Sequence, residues 1–310
     1  MSSAALVAIG EPMLEFNQQP DTAGDGRRLY LEGFGGDTAN AAVAAARQGV
    51  KVAYLTALGH DAAGARFLDL WQREGIDVTG VRQSDERPTA VYFVTHGPHG
   101  HEFLYYRRDS AASFYGPEDV DAALVGGAKI LHASGISQGI SSRAADAVFH
   151  AIGLARAAGV RVAYDTNFRP RLWPAARAAA VIHAAIAQAD IALPSLDDAT
   201  MLTGLADPDA IADFYLRLGP AVVVVKLGAE GALLATPERR VRIPARSCRF
   251  VDATGAGDTF AGSFLARLIL GDAPEAAARY ATAAAALKCE GFGAVAPIPF
   301  ASQVEAALCD

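Results

Sequence analysis

The chain of 310 residues is long enough for one large domain or two small ones, with a sizeable core. Its hydrophobic fraction of 52% and charged fraction of 20% fit a soluble globular protein. A net charge of −7 gives no basis for nucleic acid or an anionic membrane surface as partner, and it obliges any anionic substrate to find a local basic pocket.

The first apolar run, Leu6–Gly10, predicts a buried strand. Met13–Phe16 and Leu29–Gly33 predict two short strands. Gly33-Phe34-Gly35-Gly36-Asp37-Thr38-Ala39-Asn40 is a glycine turn that feeds a helix over Thr38–Gln48, which Gly49 stops. Asp37 and Asn40 stand at its start, where Asp37 also reads as an ordinary cap. A strand over Val52–Ala57 and a helix over Ala62–Glu74 follow. Thr89–Thr95 and Glu102–Arg107 predict a second pair of short strands around His96-Gly97-Pro98-His99-Gly100-His101. The Gly and Pro between these histidines, with no acidic or thiol partner at ligand spacing, favour a solvated hairpin tip over a metal site.

Beyond this point apolar runs alternate with amphipathic ones. Strands are predicted at Lys129–Ala133, Val160–Asp165, Ile191–Leu193 and Ala221–Leu227. Helices are predicted at Ser142–Ala157, Ala175–Ala187, Leu196–Leu202, Ala210–Leu218, Thr259–Leu270 and Pro274–Leu287. This order predicts an α/β sheet with helices on both faces, as one domain over residues 1–310. Ligands of such sheets bind beyond the carboxyl ends of the strands. Polar residues stand there: Asp165-Thr166-Asn167, Pro194-Ser195 and Lys226. Cys248, Cys289 and Cys309 are odd in number, lack CxxC spacing and read as free thiols of a reducing cytoplasm. Residues 1–6 lack a basic n-region, so no signal peptide is expected, and no run of 18 apolar residues predicts a membrane span.

The densest chemistry lies in Val251-Asp252-Ala253-Thr254-Gly255-Ala256-Gly257-Asp258-Thr259-Phe260. Gly255 and Gly257 allow a tight turn and close approach of a ligand. The turn sits at the N-terminus of the Thr259–Leu270 helix, where free N–H groups and the dipole favour a phosphate. Asp258 lies beside that anion site, placed to act as general base for a hydroxyl attacking phosphorus. Read alone, the run is also a plain glycine loop ending in an aspartate.

The two signatures together resemble the ribokinase-like (PfkB) carbohydrate kinases. That family pairs GG-x-x-x-N-x-A near its start with D-x-x-GAGD-x-F near its end, and both stand here in order. The resemblance spans essentially the whole chain. It implies a three-layer sandwich with a mostly parallel central sheet and a small β lid, whose strands are inserted at about 12–34 and 88–108. It implies ATP and Mg²⁺, with Asp258 as base and Gly255, Ala256 and Gly257 as phosphoryl cradle. Asp252 and Thr254 match positions that hold a monovalent cation such as K⁺ in relatives, with Gly293-Ala294-Val295-Ala296 as the other strand. For Asp252, bracing the loop stands level with a cation role.

On the nucleotide side Lys226-Leu227-Gly228-Ala229-Glu230-Gly231 resembles the family's strand-end LG-x-x-G, which lies along ATP. Gly228 and Gly231 read equally as a plain hairpin turn. Ser195-Leu196-Asp197-Asp198 replaces the family's N-x-x-E, so Ser195 and a water-mediated contact of Asp198 with Mg²⁺ carry over in altered form. Two arginine-bearing segments, around Arg107 and Arg169, suit a substrate carboxylate bound in a planar fork. Together with Gly10-Glu11-Pro12-Met13 and Val91-Tyr92-Phe93, they resemble the 2-keto-3-deoxygluconate kinase branch. By that resemblance Arg107 and Arg169 bind the acid end, Tyr92 and Tyr105 line the sugar, and Gly35, Gly36, Asp37 and Asn40 hold its hydroxyls. Arg108 and Arg171 read better as surface charges, and Trp71 and Trp173 as packing residues. The alternatives are a fructokinase or ribokinase on a neutral sugar and a non-catalytic sugar-binding relative. A homo-oligomer is expected by analogy, since family members often pair their lids.

Overall fold

The computed structural model describes residues 4–19, 27–97 and 100–309. Its strands and helices run in chain order as β1 (Leu6–Ile9), β2 (Met13–Gln18), β3 (Tyr30–Gly35), α1 (Asp37–Arg47), β4 (Val52–Gly59), α2 (Ala62–Arg73), β5 (Val81–Ser84), β6 (Ala90–Gly97) and β7 (Gly100–Tyr106). They continue as α3 (Ala122–Gly126), β8 (Ile130–Ser134), α4 (Gly135–Gly139), α5 (Ser142–Ala157), β9 (Arg161–Asp165), α6 (Ala175–Ile186), β10 (Ile191–Ala192), α7 (Leu196–Thr203) and α8 (Pro208–Leu218). The last elements are β11 (Val222–Lys226), β12 (Ala232–Ala235), β13 (Arg240–Ile243), α9 (Ala256–Leu270), α10 (Pro274–Lys288) and α11 (Ala301–Cys309). No helix among the described residues is long and apolar enough to cross a membrane.

Among the described residues the large sheet has nine strands, ordered β13-β12-β11-β10-β9-β8-β1-β4-β5. It is parallel from β11 to β5, and β12 and β13 add an antiparallel edge. Its central strands are buried on both faces, which explains their unbroken apolar runs. In β1 the alternation is direct: Val7 and Ile9 enter one core, Leu6 and Ala8 the other. The first core packs under α5, α6 and α8, the second under α1, α2 and α9.

The smaller sheet has the order β3-β2-β6-β7, with β2 and β6 parallel and both outer pairs antiparallel. It joins two stretches far apart in sequence, and each alone would be a marginal hairpin. The histidine tip falls at the β6–β7 turn. There His96 Nε2 lies 2.9 Å from Asn17 Oδ1, while Pro98 and His99 lie outside the described residues.

Two helix starts differ from the sequence reading. Asp37 is not a cap: α1 is capped by Gly36 at φ 103°, and Asp37 is a buried first-turn residue. A Cβ at Gly36 would meet the Glu11 carbonyl at 2.4 Å, so glycine is required both for its angle and for this contact. Helix α9 begins at Ala256, three residues earlier than expected, with Gly255 as its left-handed N-cap. Glycines hide this helical turn, because they carry no pattern for a period to reveal.

Small residues bring the two signatures together. Helices α1 and α9 touch at Gly262, where a Cβ would lie 2.1 Å from the Ala41 carbonyl oxygen and 2.8 Å from Ala44 Cβ. Replacing Gly262 with valine should therefore force α1 and α9 apart. Overpacking of this kind costs about 1–3 kcal/mol. Chemical denaturation is expected to show at least that loss, and an unchanged midpoint would mean that the helices have room to spare.

Candidate active site

The parallel strands end in a cluster of charge. Asp165 is the last residue of β9 and Lys226 the last of β11, and their side chains pair at 2.5 Å. Asp37 and Asp258 arrive from the first turns of α1 and α9. Two asparagines tie these acids together. Asn40 Nδ2 donates to Asp258 Oδ2 at 2.9 Å. Asn167 Nδ2 donates to Asp37 Oδ2 at 2.9 Å and to Asp258 Oδ1 at 3.4 Å. Asn167 holds this position at φ 27°, a left-handed conformation that asparagine tolerates better than most residues. Asp37 Oδ1 and Asn40 Oδ1 are buried with no partner. Unpaired buried acceptors of this kind need a ligand's donors or ordered water.

The anion cradle lies against the same cluster. A Cβ on Gly257 would sit 3.6 Å from Lys226 Nζ, so the ammonium borders the first turn of α9. The Ala256 N–H bonds the Ala253 carbonyl at 3.0 Å, while those of Gly257 and Asp258 have no partner within the helix. Gly255 rests against the 293–296 segment, with the Ala294 carbonyl 3.0 Å from where its Cβ would be. Below it the Asp252 carboxylate accepts from Thr254 N at 2.9 Å, Thr254 Oγ1 at 2.7 Å and Gly293 N at 2.9 Å. Asp252 thus braces the loop, and the exposed Thr254 turns its hydroxyl hydrogen to that carboxylate. Beneath both, the fully buried Lys288 donates to the Asp252 carbonyl at 2.8 Å.

The remaining nucleotide-side candidates have local structural roles. Ser195 caps α7, accepting from Asp198 N at 3.1 Å. Gly228 and Gly231, at φ 59° and 98°, form the tight turn of the β11–β12 hairpin. Asp198 is buried, and its Oδ2 has one long partner, Thr166 Oγ1 at 3.3 Å. Among the described residues no three His, Cys, Asp or Glu side chains gather as a metal cage.

The lid supplies the roof. Tyr92 is buried and donates its hydroxyl to Glu15, and Tyr105 stacks on it at 5.7 Å between centroids. Tyr106 points to the other face, edge-on to Phe93. The Tyr92 ring fills the space beside Gly35, where a Cβ would lie 2.5 Å from its hydroxyl. Arg107, one residue past β7, pairs with the fully buried Glu11 of the core, whose other oxygen accepts from Ser110 Oγ at 2.7 Å. Its Nε is buried without a partner.

Arg169 is exposed and bonds the Phe168 carbonyl at 2.9 Å. Among the described residues no contact joins Arg107 to Arg169. Arg108 is exposed. Arg171, read as a surface charge, is exposed but bonds the carbonyl of lid residue Phe103 at 3.0 Å.

Burial and crowding set the acidity of the site. Burial first, then the Asp37 charge, pushes Asp258 up to about 7, with Asn40 and Lys226 opposing. Burial also raises Asp198, while Arg169 draws it back. For Asp252 the pull of burial is overcome by the bonds from Thr254 and Gly293, and its pKa falls below the usual range.

Sequence reasoning named Asp258, Asp37, Asn40 and Lys226, which the fold brings together. It quoted Asp165 and Asn167 as a polar strand end without giving them a role. Glu11 and Lys288 carried only weak signals: an acid directly after a buried strand, and a lone lysine closing an alanine-rich helix.

Comparison with known proteins identifies the family. The model of the pfkB family carbohydrate kinases matches residues 4–301. The chain belongs to that family. It is 36% identical to a 2-dehydro-3-deoxygluconokinase of Thermoproteus tenax over 91% of this chain and 87% of that one. A 2-dehydro-3-deoxygluconokinase of Bacillus subtilis is 31% identical over 94% and 92%. The probable fructokinase-5 of Arabidopsis thaliana is 34% identical over 85% and 82%. Among solved structures, a PfkB protein from Polaromonas sp. JS666 superposes with a TM-score of 0.88 at 30% identity, covering 98% and 100%. A Vibrio cholerae fructokinase double mutant, in its fructose-, ADP- and potassium-bound form, gives a TM-score of 0.87 at 26% identity, covering 98% and 99%.

The raised Asp258 has a consequence for stability. A carboxyl whose pKa is higher folded than unfolded supports the fold at low pH and loses that support as pH rises through the folded value, here about 7. Asp258→Asn removes the titration. Its melting temperature relative to wild type is expected to be higher at pH 8 than at pH 5, and an equal difference at both would mean the Asp258 pKa is not raised.

Proposed function

We propose that this protein is an ATP-dependent kinase of 2-keto-3-deoxygluconate, acting on the terminal primary hydroxyl. The observation that carries the kinase chemistry is Asp258, poised near neutrality beside the α9 cradle and Lys226. Asp37, Asn40 and Gly36 hold the sugar hydroxyls, the first two through their unpaired oxygens. Tyr92 and Tyr105 cover the sugar, and Gly35 leaves room for the Tyr92 ring. As the sugar oxygen bonds to the γ-phosphorus and the bond to the ADP oxygen breaks, the hydroxyl proton passes to Asp258. The amides of Gly255–Gly257 and the Lys226 ammonium meet the charge that develops on the transferred group.

On the nucleotide side, Ser195, Gly228 and Gly231 lie along ATP. Mg²⁺, when bound, neutralises phosphate charge. Asp198, buried and weakly partnered, fits a contact with its hydration shell.

Two features support an acidic substrate. The relative with the highest identity quoted above, at 36%, carries that activity, and the buried Arg107 Nε still wants an acceptor. A neutral sugar is the second reading, because Glu11 already balances the charge of Arg107. In either case closure of a lid over the sugar excludes water. The free cysteines fit a reducing cytoplasm. The outward lid face carries Phe16 stacked on Phe93, with the exposed Tyr30, Leu104 and Tyr106 around them, and two copies of the chain pair through it.

ADP release across a panel of sugars and sugar acids tests the assignment. Turnover of 2-keto-3-deoxygluconate should exceed that of fructose and ribose, and the opposite order would establish the neutral-sugar reading. The acid limb of kcat/KM should fall near pH 7, and Asp258→Asn should lower kcat by roughly 10²–10⁴-fold.

Arg169 is exposed and is covered only once the acid binds beneath the closed lid. Loss of one partner of a charge pair buried in that way costs about 2–5 kcal/mol, so Arg169→Ala should raise KM for the sugar acid by at least about tenfold, with far less effect on fructose. Light scattering should find a dimer that Tyr106→Glu weakens, and a monomeric wild type would refute the pairing.

A further inference from the structure

Lys288 is a positive charge that the proposed chemistry has not used. It ends α10 and is fully buried, a state lysine almost never adopts without a partner. Its Nζ donates to the Asp252 carbonyl at 2.8 Å, and among the described residues it makes no contact ion pair. Burial lowers its pKa, and the charges of Asp252, Asp258 and Glu15 oppose that shift and favour the ammonium. The ammonium therefore lies beneath the loop that ends in the anion cradle.

The sequence resemblance offered this loop as a monovalent-cation site on equal terms with a bracing role, and the superposable Vibrio cholerae fructokinase was solved with potassium. The Asp252 oxygens that such an ion would use are already engaged here. A potassium site needs oxygens whose lone pairs face the ion. The Asp252 carboxylate instead faces three donors: Thr254 N, Thr254 Oγ1 and Gly293 N. Its backbone carbonyl is taken by Lys288. An ammonium and a potassium ion carry the same unit charge and have similar radii, so one can replace the other at a carbonyl.

We propose that Lys288 is a built-in substitute for the monovalent cation, a positioning residue that fixes the Asp252–Gly255 loop and makes the enzyme independent of K⁺. The idea rests on the kinase reading for its kinetic arm only. A charge tethered to α10 stays in place without bound salt and keeps the α9 N-terminus at one distance from Lys226.

The test compares KCl with choline chloride at constant ionic strength, since choline is too large for such a site. Wild type should show equal melting temperatures in the two salts, measured without substrate, and turnover within twofold on whichever sugar it accepts. Lys288→Met should lose at least tenfold in kcat in choline, and K⁺ or NH₄⁺ should restore part of the activity and raise the melting temperature in a saturable way.

A wild type that K⁺ activates saturably, by fivefold or more, overturns the proposal. So does a Lys288→Met enzyme with normal turnover and no response to cations. If Lys288→Met does not fold, Lys288→Arg decides: a folded, K⁺-independent enzyme supports the charge role, and failure to fold assigns Lys288 to packing alone. Failure of the kinase assay leaves the melting arm intact, so the two readings can fail separately.

Discussion

Repulsion among the clustered carboxylates Asp37, Asp165 and Asp258 is the constraint around which this site is arranged. Like charges this close cannot all ionise without compensation, so each is supplied with a specific partner. Lys226 neutralises Asp165, Asn40 and Asn167 donate to Asp258, and Asn167 also donates to Asp37. Burial of Asp258, and after it the neighbouring Asp37 charge, outweighs these partners, so its proton affinity lies near neutrality. A carboxylate at its ordinary pKa would be a poor acceptor for a hydroxyl proton. Burial and crowding thus cost stability and, on the proposed reading, supply the basicity that phosphoryl transfer requires. It also explains the small residues between α1 and α9, because bulkier side chains would separate Asp37 from Asp258.

Compensation of the opposite kind runs through the rest of the molecule. The chain is acidic overall, yet three anionic positions near the site have a fixed cation: Lys226 at Asp165, Lys288 beneath Asp252, Arg107 at Glu11. A buried ion pair such as Glu11–Arg107 contributes little net stability, because desolvation consumes most of the Coulomb gain. Its value here is geometric. Glu11 follows the central strand β1 and Arg107 follows the lid strand β7, so the pair sets the lid in register with the core. Arg171 adds a second tie, from the loop after β9 to the lid carbonyl of Phe103.

The central strands were legible because both-face burial writes unbroken apolar runs, and α1, α2 and α5 because their periods and stops are clear. The edges were not. Strand β5 reads Val-Arg-Gln-Ser and β13 reads Arg-Val-Arg-Ile, and neither is buried enough to impose a pattern. Helix α4 opens with Gly135 and is only five residues long. The parallel pairing of β2 with β6 joins segments distant in sequence, so no local signal records it. At the site, motif residues such as Asp258 and Asn40 were visible. Asn167 was recognised only as part of a polar tail, since its role depends on a left-handed backbone that brings it to two acids of other elements. Asp37 was misread as a possible cap because capping is a local rule, and the tertiary contact of Gly36 with Glu11 overrides it.

The state of Arg107 bears on how a substrate acid would be distinguished from a neutral sugar. Its guanidinium is divided: Nη2 is committed to Glu11, while Nε is buried and unpaired. Glu11 fixes the guanidinium plane and removes the entropy a free arginine would lose on binding. A carboxylate placed at Nε would satisfy the remaining donor and share a cation already held in place. A neutral sugar hydroxyl at the same position would meet Nε less strongly, and a sugar too short to reach it would leave a charged group's donor unpaired. Sites built around a buried polar group discriminate most sharply against ligands that leave it unsatisfied. On the proposed reading, selectivity for the acid then depends less on net positive charge than on this one orphaned N–H. Arg169, exposed and tethered only to its neighbour's carbonyl, would supply the mobile second arm that closes on the other side.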